Sequence, residues 1–89
     1  MTYMIIETFH KGKVKELYKR FAEKGRQLPP GVAFINSWID EHVETCYQVM
    51  ESDTMEKINE WIQLWDDVAD FKVIPVITSA EAKQKVDAM

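Results

Sequence analysis

The stretch FINSWIDEHVETCYQVMES, Phe34 to Ser52, alternates large apolar and polar side chains on either side of a short polar loop around His42. Alternation of period two marks strands, and the polar break marks a hairpin. Just downstream, Asp53 followed by Glu56 has the spacing of an N-cap with a reaching carboxylate. Met55, Ile58, Ile62 and Trp65, with Trp61 beside them, repeat as one face of a helix. Upstream, LPPG (Leu28 to Gly31) is a turn, because Pro30 pushes its predecessor out of helical geometry. Before it, Val14, Leu17, Tyr18 and Phe21 repeat at helical spacing, with Gly25 as a stop.

The two ends complete the pattern. Thr2 to Phe9 is short and rich in Ile, Tyr and Phe, and FKVIPVIT (Phe71 to Thr78) carries a proline that suits only an edge strand or a bulge. Thr78 and Glu81 repeat the capping spacing before AKQKVDAM. The order is βαββαβ. It implies an α+β, ferredoxin-like domain over residues 1–78, with two helices on one face of a four-stranded antiparallel sheet, and a tail or short helix over residues 79–89 that frays or docks on a partner.

The 89 residues make one small domain, and 46% hydrophobic composition is enough for a core. A net charge of −4 argues against nucleic acid or an anionic membrane as partner. Residues 1–30 nevertheless carry seven Lys or Arg against three acids, and the remainder four against twelve. A basic helix facing an acidic surface accounts for that asymmetry. The first residues, MTYMIIETF, lack the features of a secretory leader, no apolar run approaches membrane-spanning length, and the lone Cys46 has no internal disulfide partner. A soluble protein in a reducing, cytoplasmic setting is expected.

Dividing the strands by alternation gives two sets. Met4, Ile6, Thr8, Ile35, Ser37, Ile39, Tyr47, Val49, Ile74 and Val76 are mostly small or branched and suit packing beneath helices. The other set mixes aromatics with acids and amides: Tyr3, Ile5, Glu7, Phe9, Phe34, Asn36, Trp38, Asp40, Cys46, Gln48, Met50, Phe71, Val73, Pro75 and Ile77. This grouping assumes a hairpin loop of three or five residues; a loop of two or four pairs Trp38 with Tyr47 instead. Under it, Phe34, Trp38, Met50 and Phe71 lie on a face that no helix of the chain covers, and a second copy is expected to shelter them. Glu7, Asn36, Trp38, Cys46 and Gln48 then line the space left between two facing sheets, with Phe34 as a wall.

The segments SWID, CYQVMES and WIQLWDDVADFKVIPVITSAEA resemble a family of short bacterial domains of unknown function within the dimeric α+β barrel group. The likeness runs from Tyr3 to about Ala82. It implies a homodimer and a pocket between helices and sheet or inside the barrel. The wider group includes cofactor-independent monooxygenases, haem-degrading enzymes and lactone isomerases. The haem-degrading members place an Asn on the first strand; here Glu7 stands in its middle and His10 at its end, which departs from that chemistry.

The functional expectation is therefore a small organic ligand bound without cofactor or metal, with Asn36 and Gln48 as hydrogen-bonding groups. Glu7 is the candidate general acid or base of an oxygenation or isomerisation, its pKa raised by apolar surroundings. The alternative is a non-catalytic dimeric module whose interface consumes these polar groups, with Glu7 paired to a base such as Arg26. Cys46 acts as a nucleophile only with His42 or His10 beside it. Asp66, Asp67 and Asp70 fall near a helix C-terminus, where the dipole disfavours them, so a partner is expected in Arg26, the basic first helix or a metal.

Overall fold

The computed structural model describes residues 1–89. Strand β1 (Thr2–Phe9) is followed by α1 (Val14–Lys24), β2 (Val32–Ile39), β3 (Thr45–Ser52), α2 (Met55–Gln63), β4 (Ala69–Val76) and α3 (Ser79–Asp87). The antiparallel sheet has the order β2-β3-β1-β4, so the Pro75-bearing strand lies at an edge, as its missing amide requires. The expected βαββαβ order and ferredoxin-like layering are both present. No helix is long and apolar enough to cross a membrane.

The helices cover the opposite face from the one expected. Tyr3, Ile5 and Met50 form the core with Leu17 of α1, Ile58 and Trp61 of α2, and Trp65, Val68 and Ala69 beyond it. Alternation had grouped the β1, β3 and β4 residues correctly. It gave no means of saying which set lay under the helices, because both are apolar enough to be buried. Glu7, Cys46, Gln48, Met50 and Phe71 therefore face this chain's own helices, and Met4, Ile6, Tyr47, Val49 and Ile74 form the uncovered layer.

Strand β2 adds a second departure. Phe34 stands opposite Met50 and Asn36 opposite Val49, so Ile35 is an extra, bulged residue. The Asn36 side chain stabilises the irregularity by accepting from the Ser37 amide at 2.8 Å. Phe34 and Asn36 thus fall on opposite faces although two apart. Beyond the bulge Trp38 opposes Tyr47 and Ile39 opposes Cys46, the pairing of a four-residue loop rather than of the assumed one.

That loop is held by one side chain. Asp40 accepts from the backbone amides of His42, Glu44 and Thr45 at 3.2, 2.8 and 2.6 Å, which lowers its pKa through those bonds. Within the loop Val43 has φ 57°, a left-handed conformation unfavourable for a β-branched residue. Since its side chain is 40% exposed and loses little burial when removed, Val43→Gly is expected to stabilise the protein by about 0.5–1 kcal/mol in urea unfolding.

Thr54, not Asp53, caps α2, accepting from the Lys57 amide at 3.3 Å, while the Asp53 carboxylate takes the Lys57 ammonium at 3.0 Å. Helix α2 ends at Gln63, before the acidic run. Asp67 forms a two-pronged pair with Arg20 of α1 at 2.9 and 2.7 Å, and Asp70 accepts from His10 at 2.9 Å, raising the imidazole pKa. Of the three acids near the helix end, Asp67 is thus matched by the basic first helix and Asp70 by the β1 end, while the Asp66 side chain makes no ion pair. Helix α3 has the full capping box, Thr78 with Glu81, and buries no residue. The molecule is 17 Å thick, two layers, and 47 Å long.

Candidate functional site

Between α1, α2 and the sheet lies a cavity of about 220 Å³. Phe9, Leu17, Tyr18, Phe21, Ile39, Trp61 and Trp65 give it apolar and aromatic walls, and its polar groups come from Glu7, Arg26, Ser37, Cys46 and Gln48. The sheet positions Glu7, Gln48 and Cys46 by alternation on two adjacent central strands, with Glu7 directly opposite Cys46. The bulge in β2 turns Ser37 and Ile39 inward beside them.

Arg26 stands in the loop after α1, and its place is fixed from several sides. Its carbonyl accepts from both the Trp61 and Trp65 indoles, at 2.8 and 3.2 Å. Its guanidinium lies 3.8 Å from the centroid of the Phe34 ring and 5.2 Å from that of Phe21. The flanking backbone is left-handed at Gly25 and Gln27, φ 68° and 61°, a geometry that the two indole bonds help to hold.

A polar chain crosses the cavity floor. Arg26 Nε donates to Gln48 Oε1 at 3.3 Å, and Gln48 Nε2 donates to Glu7 Oε1 at 2.8 Å. The amide separates the two charges instead of letting them pair. Every buried side-chain nitrogen or oxygen has a hydrogen-bond partner, and Glu7 Oε2 makes no such bond, so this second oxygen opens onto the cavity. Burial pushes the Glu7 pKa up to about 7, against the opposing pull of the Gln48 bond and the Arg26 charge. The result is a carboxyl that titrates at neutral pH beside apolar walls. Burial also raises Cys46 to about 11, with neither histidine in the cavity lining, so this thiol lacks the activation a nucleophile needs. Tyr18 is likewise raised, by burial and then by the neighbouring Cys46 and Glu7.

Of the residues singled out in the sequence, Glu7, Cys46 and Gln48 come together here, inside one chain and not between two sheets. Phe34 holds Arg26 from the rim. Asn36 and Trp38 are separated from them: they lie on the uncovered face, with Trp38 55% exposed opposite Tyr47. Alternation missed Tyr18, Ser37, Trp61 and Trp65 as wall residues. The helical stripe Leu17, Tyr18, Phe21 and the Trp61 and Trp65 pair one turn apart were the signals that pointed beneath the helices.

The fold has counterparts among solved structures. Protein Atu4242 from Agrobacterium tumefaciens is similar with a TM-score of 0.54 at 12% identity, over 89% of this chain and 96% of that one. A candidate antibiotic biosynthesis monooxygenase from Chloroflexus aurantiacus J-10-fl has a TM-score of 0.47 at 11% identity, over 89% and 96% of the two chains. No curated protein matches by sequence. The model of the family described as a domain of unknown function, DUF3303, matches residues 1–89, and the chain belongs to that family.

Proposed function

We propose that the protein binds a small organic molecule in the cavity beneath its helices and uses Glu7 as a general base toward it, working as a homodimer joined through the uncovered sheet face. The observation that carries the binding reading is the second oxygen of Glu7, unbonded and opening onto an aromatic-walled cavity with a pKa near 7. A base so poised suits proton abstraction from an acidic C–H or O–H, the first step shared by isomerisation and cofactor-independent oxygenation. Cys46 and Gln48 border the same space, Gln48 holding the carboxyl in place. Asn36 and Trp38 belong on this reading to the dimer face, not to the ligand.

Protein-observed NMR of the nitrogen-labelled chain with a library of one-ring compounds tests the binding claim. Bound compounds are expected to shift the indole N–H signals of Trp61 and Trp65 and the side-chain amide of Gln48, and Glu7→Gln is expected to abolish any turnover while leaving binding measurable. Perturbation of Trp38 alone, or no binding by any compound, would remove the cavity as the site. An active substrate should give a rate that rises with pH through an apparent pKa near 7, since the base works deprotonated.

A further inference from the structure

Resting on the small-molecule reading above, we infer that the ligand of this cavity is a planar organic acid bound as its carboxylate by Arg26. The guanidinium has no acid within ion-pair distance, and only its Nε is engaged, by Gln48. Its two outer nitrogens form no hydrogen bond, yet no buried nitrogen of the chain is left unpaired, so both are accessible in a residue that lines the cavity. A guanidinium edge of this kind matches the two oxygens of a carboxylate in a way that a neutral or cationic group does not.

Elsewhere the chain matches its half-buried charges. Arg20, the other arginine near the helix layer, spends both outer nitrogens on Asp67. Arg26 has Glu7 close enough to feel its charge, but Gln48 is interposed, leaving an outer edge on each group free. Phe34 and Phe21 fix the guanidinium and the indole bonds fix its backbone, so little ordering remains to be done when an anion arrives. The volume of about 220 Å³ lies below the roughly 300 Å³ at which drug-sized pockets begin, which fits a single ring with a short side chain against Trp61 and Trp65.

Binding such an anion brings negative charge near Glu7, so proton uptake accompanies it. The charged and titratable groups facing Glu7 are Arg26 from the loop, Cys46 from β3 and Tyr18 from α1; α2 presents Trp61, the segment after it Trp65, β2 Ser37 and Ile39, and β4 Phe71, none of which titrates. Affinity for a carboxylate should therefore fall as pH rises through 7, and this slope should vanish in Glu7→Gln.

The experiment is calorimetric titration of the full chain with benzoate and cinnamate against benzamide and benzylamine at pH 6 and pH 8. Benzoate or cinnamate is expected to bind at least roughly tenfold more tightly than benzamide at pH 6, with Arg26→Gln erasing the preference. The wild-type comparison needs no variant, so a folding defect in Arg26→Gln does not blunt it. Equal or tighter binding of benzamide or benzylamine would overturn the carboxylate assignment and leave the cavity as a ligand site. Failure of all four compounds at millimolar concentration would overturn both.

Discussion

At pH 8, Glu7→Gln is expected to be more stable than the parent protein by about 3–4 kcal/mol, and the advantage should disappear below pH 4.5. The folded-state pKa is near 7 and the ordinary value is 4.5, so between these two the unfolded chain has released a proton that the native state keeps. Stability therefore falls as pH rises from 4.5 and levels off above 7, where the carboxylate is ionised in both states. A shift of about 2.5 pH units at about 1.4 kcal/mol each gives the quoted size. The glutamine keeps an oxygen for the Gln48 amide to donate to, and it carries no charge to desolvate. Urea unfolding of both proteins at several pH values between 4 and 8 measures the effect; parallel curves would mean that Glu7 is ionised at low cost and that the cavity is wetter than its walls imply. A gain in stability with a loss of turnover is also what separates a functional acid from a structural one.

Ile6→Glu is expected to convert the proposed dimer into a monomer, weakening association more than a hundredfold in sedimentation at micromolar concentration. Ile6 lies at the middle of a central strand on the uncovered face, with Met4, Val49, Tyr47 and Ile74 around it. Burying side chains of this kind is worth about 1.5–3 kcal/mol each, and the chain's helices bury none of this layer. A carboxylate there is desolvated in the dimer, and symmetry brings a second one near it. In the monomer the same substitution is mild, because Lys72 sits directly opposite position 6 on β4 and offers a cross-strand partner. If both parent and variant sediment as one protomer, the sheet face has no self-partner and the homodimer is refuted. The dimer expectation reached this face from the wrong residues: of Phe34, Trp38, Met50 and Phe71, only Trp38 lies on it.

The elements were legible because each is announced locally. One pair of strands with a turn between them, two apolar helical stripes, a proline in the last strand and a Thr78 and Glu81 cap all depend on residues within a few positions of one another. The layer assignment was not legible, because a sheet whose two faces are both apolar gives alternation nothing to choose between. Nor was the fate of Asn36 and Trp38, since a single extra residue at Ile35 moves everything beyond it to the other side. The acids at the end of α2 drew attention as a broken local rule, and the basic first helix answered it through Arg20.

By itself, the order of residues determined the βαββαβ chain path and placed Glu7, Cys46 and Gln48 on one face of adjoining strands. Only the tertiary structure decided that this face is the covered one, because the partner that makes buried polar groups tolerable, Arg26, stands 22 residues from Gln48 along the chain and meets it through space. Spacing along a strand encodes which side chains are neighbours. Which of them are dry, and hence which carboxyl titrates near neutrality, follows from what packs on top.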